Sequence, residues 1–175
     1  MSEDPEKSKS RATSHTAELE INWEYYGRFV DKDGHKLKIE VENKVYETKK
    51  PGIYKLISKD QSELYVGQGQ NLHDRLREYR NAGFNPNNKK EKTNRRIQGW
   101  MLRLIKEDKG PIEIRVCTEA PYLCQDGEKL RLDLGGEING KYNRELIEHM
   151  EIANSANDFC IQNDPCNWKR NESKC

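Results

Sequence analysis

The sequence lacks a long apolar run and is poor in hydrophobic residues overall. Only 33% of its 175 residues are hydrophobic and 35% are charged, so we expect a small core and a heavily solvated surface. No run approaches the roughly 20 apolar residues that a membrane span requires. The charged first fifteen residues contain no apolar stretch of the kind found in a secretory signal. We therefore expect no membrane partner and a location in the prokaryotic cytoplasm.

The spacing of the five cysteines fits no standard metal motif. Zinc sites usually contain a C-x2–4-C pair, and no two cysteines of this chain are that close. An odd number of cysteines without tight pairing also argues against a disulfide framework. We expect reduced thiols at Cys117, Cys124, Cys160, Cys166 and Cys175.

The net charge of +1 conceals an uneven distribution of charge. Residues 75–109 contain eleven Lys and Arg, whereas residues 118–158 contain nine Asp and Glu against four Lys and Arg. A basic segment attracts a polyanion, because neutralising phosphates releases bound counterions. Two solvated helix faces would produce the same pattern, so charge alone does not decide between these interpretations.

Residues 51–80 have the pattern of a β-hairpin followed by a helix. Short apolar runs begin at Gly52 and Leu64, and the intervening residues are polar, which predicts two strands and a turn. Asn71 is a suitable N-cap, and Leu72, Leu76 and Tyr79 then recur at helical spacing.

Two tripeptides in this hairpin carry a resemblance to a known family. Gly52-Ile53-Tyr54 lies in the first predicted strand and Tyr65-Val66-Gly67 in the second. The two tyrosines are eleven positions apart, and Arg75 follows Tyr65 by ten. This arrangement resembles the catalytic core of the GIY-YIG nuclease superfamily, with valine at the centre of the second motif.

The resemblance implies an α+β fold with a small central antiparallel or mixed β-sheet flanked by helices. We expect residues 1–18 to be a disordered tail. Residues 19–48 would be an N-terminal extension containing a hairpin around Asp33-Gly34, which serves DNA binding or dimerisation or simply adds strands. The nuclease core would span residues 49–170, with insertions at 81–92 and 118–142.

Two further helices and one strand are predicted beyond the hairpin. Thr93 is a candidate N-cap for the second helix, and Asn143 for a third helix from Arg144 to about Ser155. Alternation predicts a strand over residues 112–116. The apolar stripe of the second helix comprises Ile97, Trp100, Met101, Leu104 and Ile105.

Within the resemblance, four residues from the strands and first helix acquire catalytic roles. Arg75 would bind a phosphate oxygen, and Tyr54 would orient or deprotonate the attacking water. Tyr65 would position the water or the phosphate, and Tyr79 would have a supporting role. Each could instead be an ordinary strand aromatic or ion-pair partner.

The family's metal-binding glutamate is expected on the third helix, where three acids compete. Glu148 is preferred over Glu145 and Glu151, because Ile147 precedes it and Ile152 follows four positions later. One carboxylate suits Mg2+ (or Mn2+), which keeps several waters.

Other residues are candidates for supporting and DNA-binding roles. A late asparagine, either Asn163 or Asn167, would support the site. His149 is a further candidate, although its position beside Glu148 favours a simple surface histidine. The predicted DNA contacts are Lys89, Lys90, Lys92, Asn94, Arg95 and Arg96.

These inferences together predict a metal-dependent endonuclease that hydrolyses phosphodiester bonds in double-stranded DNA. Only short additions flank the core, which favours a type II restriction endonuclease of a restriction-modification system, acting as a homodimer on a palindromic site. The alternatives are a repair or structure-selective nuclease that needs a partner, and a non-catalytic nucleic-acid-binding module.

Overall fold

The computed structural model describes residues 17–42, 49–82, 88–156, 158 and 160–163. Within these residues the chain forms three helices and nine strands in two sheets. The predicted α+β class is therefore confirmed. No helix in this part of the chain combines the length and the apolar character needed to cross a bilayer.

The strands vary from two to eight residues in length. They are β1 (Ala17–Glu20), β2 (Glu24–Asp31), β3 (Leu37–Val41), β4 (Gly52–Ile57), β5 (Glu63–Gly69), β6 (Ile112–Cys117), β7 (Tyr122–Gln125), β8 (Glu128–Arg131) and β9 (Cys160–Ile161). The helices are α1 (Leu72–Arg80), α2 (Lys89–Lys106) and α3 (Asn139–Ser155).

The larger sheet has six strands in the order β3-β2-β6-β4-β5-β9. Its neighbouring strands are antiparallel except for β9, which pairs in parallel with β5. The predicted β4–β5 hairpin is present, and its register places Tyr54 opposite Gly67. The strand predicted at residues 112–116 is β6, which lies on the other side of β4.

The residues before the core extend this sheet. The predicted hairpin around Gly34 is formed by β2 and β3, and β2 continues the sheet by pairing with β6. Strand β1 begins at Ala17, inside the expected tail, while residues 1–16 lie outside the described residues. Strands β7 and β8 of the 118–142 insertion pair with each other, and β7 pairs with β1 to complete a small three-stranded sheet.

Hydrophobic clusters cover both faces of the large sheet. On one face, Tyr54, Leu56 and Tyr65 pack against apolar side chains of α1 and α2. On the other, Ile53 and Val66 pack against α3 and the small sheet. This separation follows from strand geometry, because successive side chains point to opposite faces.

The first two helices differ in how well their starts were predicted. Asn71 caps α1 as expected, and its side chain accepts a hydrogen bond from the N–H of Asp74. The prediction that Thr93 caps the second helix is wrong, because α2 begins four residues earlier. Asn88 is the cap, and Thr93 lies inside the helix with its hydroxyl donating to the Lys89 carbonyl. The run that follows Asn88 consists of good helix formers, which extends the helix backward.

The third helix also begins earlier than predicted. It starts at Asn139, and no side chain caps it. Asn143, the expected cap, lies inside the helix and its Nδ2 donates to the Asp133 carbonyl. That bond ties the first turns of α3 to the segment after β8.

A buried carboxylate joins the core elements. Glu63 at the start of β5 is 1% exposed. Its Oε2 accepts hydrogen bonds from Trp100 Nε1 at 2.8 Å, Arg103 Nη2 at 2.9 Å and Gln162 Nε2 at 3.0 Å. Its Oε1 has no hydrogen-bond partner among the described residues, and Lys109 Nζ lies 3.9 Å from it. Glu63 therefore connects the sheet to α2 and to the segment after β9.

We expect the substitution Glu63→Gln to destabilise the fold by about 2–4 kcal/mol. Breaking a buried ion pair costs roughly 3–5 kcal/mol, and the cost is reduced here because Arg103 is 43% exposed. Urea unfolding followed by circular dichroism measures this change.

Glu107→Gln is the matched control, because Glu107 also pairs with Arg103 but is 46% exposed. We expect it to change the free energy of unfolding by less than about 0.5 kcal/mol. Equal effects of the two substitutions would contradict the role given to Glu63.

Candidate active site

Three tyrosines meet on the helical face of the large sheet. Tyr54 comes from β4, Tyr65 from β5 and Tyr79 from the last turn of α1, and all three side chains are buried. Each pair of rings has a centroid separation of 6.2 Å in a tilted or edge-to-face arrangement. Such arrangements are favourable for aromatic pairs, so packing alone brings the three hydroxyl groups together.

The three hydroxyl groups are close enough to interact. The Tyr54 and Tyr79 hydroxyl oxygens are 2.5 Å apart. Tyr79 donates a longer hydrogen bond of 3.4 Å to Tyr65. Tyr65 is the most exposed of the three at 6%, so the phenols form a connected group that reaches the surface through Tyr65.

A glycine makes room for the buried phenol of Tyr54. A Cβ added at Gly67 would overlap the hydroxyl oxygen and Cζ of Tyr54, its partner in the β4–β5 register. A Cβ at Gly52 would overlap the Cys117 carbonyl. The glycines of the two tripeptide motifs therefore permit close approach of neighbouring groups.

Arg75 lies over the ring of Tyr79 and is held by two polar partners. Its Cζ is 4.8 Å from the ring centroid, which is a favourable cation–π distance. Its Nη1 donates to Glu78 Oε2 at 2.8 Å and to Asn94 Oδ1 at 2.7 Å. Burial alone would lower the pKa of Arg75, but the neighbouring phenols and Glu78 raise it overall, so the guanidinium is charged.

Burial determines the protonation state of Tyr54 and Tyr79. Loss of hydration raises the pKa of Tyr54 well above 10, and the neighbouring Tyr65 raises it further. Arg75 and the hydrogen bond to Tyr79 act in the opposite direction, but more weakly. Burial likewise raises the pKa of Tyr79. Tyr54 is therefore a neutral hydrogen-bonding group, and its fully buried side chain does not support the predicted role of deprotonating a water.

Glu148 lies on α3 within electrostatic range of Arg75. Burial raises the pKa of its carboxyl group to about 7. Arg75 partly offsets this increase, whereas the charge of Glu145 adds to it. The strand residues and Glu148 come from opposite layers of the fold, yet the carboxyl group interacts with the arginine beside the phenols. Of the predicted site residues, Tyr54, Tyr65, Tyr79 and Arg75 are in contact with one another, and Glu148 is linked to them through its electrostatic interaction with Arg75.

The two competing glutamates occupy different environments. Glu151 is 7% exposed and forms an ion pair with Lys55 of β4. Glu145 lies 3.8 Å from Lys141 on the same helix. Glu148 interacts electrostatically with Arg75, whereas the ion-pair partners of Glu151 and Glu145 are Lys55 and Lys141, which favours the choice of Glu148.

The three residues predicted to support the site differ in where they lie. Asn163 Oδ1 accepts a hydrogen bond of 2.8 Å from the N–H of Val66, and its Nδ2 donates to the Val66 carbonyl. Asn163 thereby fixes the strand between Tyr65 and Gly67. Asn167 lies outside the described residues, and His149 is exposed on α3.

The predicted DNA contacts all lie on α2, but their side chains differ in accessibility. Lys89, Lys90, Lys92 and Arg95 are exposed, and Arg96 is partly buried. Lys90 pairs with Glu78 at 2.5 Å. Asn94 is 5% exposed and faces Arg75, so its placement does not suit a DNA contact. Because α2 begins at Lys89, Arg95 and Arg96 do not lie in the first turn as predicted.

Sequence reasoning did not anticipate three polar residues around the site. Glu78 lies three positions after Arg75, and this spacing is a recognisable signal for a helical ion pair. Arg144, one turn before Glu148, is 4% exposed and donates to Gln68 Oε1 at 3.1 Å. Neither Arg144 nor Gln68 had a sequence signal, because their contact joins two distant segments.

The donor groups fit a hydrated divalent cation better than a fully enclosed metal site. Among the described residues, no three His, Cys, Asp or Glu side chains converge in a way that could hold a metal ion. A single carboxylate such as Glu148 suits Mg2+, which retains waters and binds substrate phosphates.

We expect Gly67→Ala to destabilise the protein by about 1–3 kcal/mol, the range for overpacking a core. The added methyl group must displace the Tyr54 ring, so the near-ultraviolet circular dichroism of the tyrosines should change as well. Urea unfolding and circular dichroism measure both effects.

Gly99→Ala is the matched control, because a Cβ there meets no atom within 4 Å. In an exposed helix interior this change should stabilise the protein by about 0.5–1 kcal/mol. If both alanine variants behave alike, Gly67 does not serve the close packing of Tyr54.

The raised pKa of Glu148 predicts a pH dependence of stability in metal-free buffer. Between its ordinary value of 4.5 and about 7, the folded protein retains a proton that the unfolded chain has released. The free energy of unfolding therefore falls as pH rises through this window. In Glu148→Gln this group does not titrate, so the free energy of unfolding should not fall in this way. The difference in the free energy of unfolding between the variant and wild type should therefore shift in favour of the variant by up to about 3 kcal/mol between pH 4 and pH 8.

Urea unfolding in EDTA across this pH range tests the prediction. Glu145→Gln is the control, because it keeps Glu148 and should retain most of the pH dependence. Parallel pH profiles for wild type and Glu148→Gln would show that this carboxyl group titrates normally.

Comparison with known proteins adds one match to this geometry. Residues 50–122 match the family model described as the GIY-YIG catalytic domain. The matched segment includes both tyrosine motifs, Arg75 and Tyr79 but ends before Glu148. Neither curated proteins nor solved structures gave a match. The matched segment carries the tyrosine and arginine arrangement, so this part of the chain is similar to the GIY-YIG catalytic domain.

Proposed function

We propose that this protein is a metal-dependent endonuclease that hydrolyses phosphodiester bonds in double-stranded DNA. The observation that carries the proposal is the position of the Arg75 guanidinium, which lies against three buried phenols and within electrostatic range of Glu148. Phosphodiester hydrolysis requires a positioned water, an arginine or metal that offsets phosphate charge, and stabilisation of the leaving oxygen. The family match to residues 50–122 supports the nuclease assignment.

Arg75 is the proposed phosphate ligand. Its planar guanidinium is permanently charged and can donate two parallel hydrogen bonds to phosphate oxygens. The described contacts with Glu78 and Asn94 use only Nη1. Its remaining N–H groups are available to the phenols and to a phosphate, where they offset the charge that develops in the transition state.

The three phenols serve as hydrogen-bonding groups in this proposal. Tyr65 is the member that reaches the surface, so it is the phenol that contacts the water or the phosphate. Tyr54 and Tyr79 hold Tyr65 and Arg75 in position through the hydroxyl chain and the ring contact. The high pKa values of Tyr54 and Tyr79 keep these two phenols protonated during this task.

Glu148 would hold Mg2+ or Mn2+ near the scissile phosphate. When bound, such an ion supplies Lewis-acid stabilisation of the leaving oxygen. Metal binding requires the ionised carboxylate. A pKa of about 7 in the metal-free protein means that protons compete with the metal near and below neutral pH.

Within this class, we propose a type II restriction endonuclease that acts as a homodimer on a palindromic site. The residues before the matched segment extend its own sheet through β2 and β3, and the insertion pairs with β1 and packs on the same core. Reading of the DNA sequence would then depend on these additions and on the exposed cations of α2. A DNA recognition site with two-fold symmetry would require two copies of the chain.

Cleavage of supercoiled plasmid DNA in Mg2+ or in EDTA tests the proposal. We expect discrete fragments in Mg2+ and intact plasmid in EDTA. Arg75→Ala should raise the activation free energy of cleavage by about 2.7–4 kcal/mol, which is the cost of removing one strong oxyanion donor. Glu148→Gln should abolish cleavage and leave DNA binding intact or tighter, because a repelling charge is lost.

Arg115→Ala is the control, because Arg115 is an exposed arginine that pairs with Glu113 on β6. It should cleave as wild type does. Smearing or cutting only at branched DNA would favour a repair or structure-selective nuclease that needs a partner. A mobility shift without cleavage in any divalent cation would identify a non-catalytic binding module and overturn the proposal.

A further inference from the structure

The contacts around Arg75 connect two helices that the sequence separates. Arg75 and Glu78 belong to α1, whereas Asn94 belongs to α2, nineteen positions after the arginine. Both partners accept hydrogen bonds from the same guanidinium nitrogen, Nη1, at 2.7 and 2.8 Å. Because Nη1 carries two N–H groups, these two partners account for both of them.

The two acceptors are themselves held in place. Asn94 Nδ2 donates to Glu78 Oε2 at 3.4 Å, and Lys90 pairs with the other Glu78 oxygen at 2.5 Å. Asn94 is 5% exposed, so water does not easily replace its amide. With the Tyr79 ring beneath the guanidinium, Arg75 is restrained from three directions.

The combined charge of Arg75, Glu78 and Lys90 suits the binding of an anion. Burial opposes ionisation of Glu78, but hydrogen bonds from Lys90 and Arg75 lower its pKa overall. The cluster therefore contains two cations and one carboxylate, which leaves one positive charge for an incoming phosphate. An Arg75–Glu78 pair without Lys90 would be neutral.

We propose that Asn94 and Glu78 are positioning residues that fix the orientation of Arg75 toward the scissile phosphate. This inference rests on the proposed function and deepens it. Because the two acceptors occupy Nη1, the N–H groups of Nε and Nη2 are left to donate hydrogen bonds to the phenols and the phosphate. Asn94 brings α2 into the site, so the helix that carries the exposed cations also orients the arginine.

The substitution Asn94→Ala tests the proposal with little change in charge. Misplacement of a catalytic group by about 1 Å can cost roughly 100-fold in rate, so we expect kcat for plasmid or oligonucleotide cleavage to fall between about tenfold and 100-fold. KM and DNA affinity should change less than about twofold, because no phosphate contact is removed. Asn94→Asp keeps the acceptor for Nη1 and should recover part of the lost kcat.

Gln98→Ala is the matched control. Gln98 lies one turn after Asn94 on α2, and its Nε2 donates to the Arg80 carbonyl at 3.2 Å, so it also links the two helices without touching Arg75. We expect Gln98→Ala to retain the wild-type kcat. Thermal unfolding of all three variants shows whether each is folded under assay conditions.

Glu78→Gln separates positioning from charge. Loss of the carboxylate raises the local positive charge, so DNA binding should tighten, while looser restraint of Arg75 lowers kcat. If Glu78 had only a structural role, its substitution would not increase DNA affinity while it lowers kcat.

A readout on the arginine itself keeps the proposal testable apart from cleavage. In 15N-labelled protein, a restrained guanidinium gives slowly exchanging, separate Nη signals, and we expect these for Arg75 in wild type and Gln98→Ala but not in Asn94→Ala. Wild-type kcat in Asn94→Ala, equal losses of kcat in Asn94→Ala and Gln98→Ala, or unchanged Arg75 signals would overturn the inference. Absence of cleavage by wild type with restrained Arg75 signals would instead refute the nuclease function and retain the restraint.

Discussion

The antiparallel pairing of β4 with β5 is the constraint on which the site depends. Its register places the Tyr54 side chain across from Gly67, where the missing Cβ leaves space for the phenol. A shift of one residue would move every side chain of the strand to the opposite face. Tyr54 would then leave α1, and the contacts that organise Tyr79 and Arg75 would be lost. The pairing is secured from outside by Asn163, which bonds both backbone groups of Val66.

Burial gives the aromatic group its chemical character. A phenol exposed to water near a cation could ionise at moderately high pH, but Tyr54 is fully buried and its pKa rises instead. The same effect raises the pKa of Glu148 to about 7 on the other side of the site. Burial therefore keeps Tyr54 and Tyr79 neutral and makes the carboxyl group of Glu148 sensitive to pH near neutrality. Arg75 is the member that remains charged throughout, which makes it the electrostatic centre of the group.

Much of the core was predictable because its signals are local. The hairpin, the Asn71 cap and the apolar stripe of α2 depend on residues a few positions apart, and each appears as expected. Helix starts were less predictable, since Asn88 and Thr93 are both plausible caps and the helix-forming residues between them decided the outcome. Helix α3 begins before Asn143, whose side chain bonds the Asp133 carbonyl in a tertiary contact that no local pattern indicates.

The two ends of α2 are attached to the protein in different ways. Near its C-terminal end, Trp100 and Arg103 bind a carboxylate that is almost completely buried. Near its N-terminal end, Lys90 reaches Glu78 through an exposed ion pair, which salt and competing anions weaken readily. A polyanion that captures Lys90 would remove one of the two cations that pair with Glu78, while the contacts of Trp100 and Arg103 with Glu63 would still hold the other end of the helix.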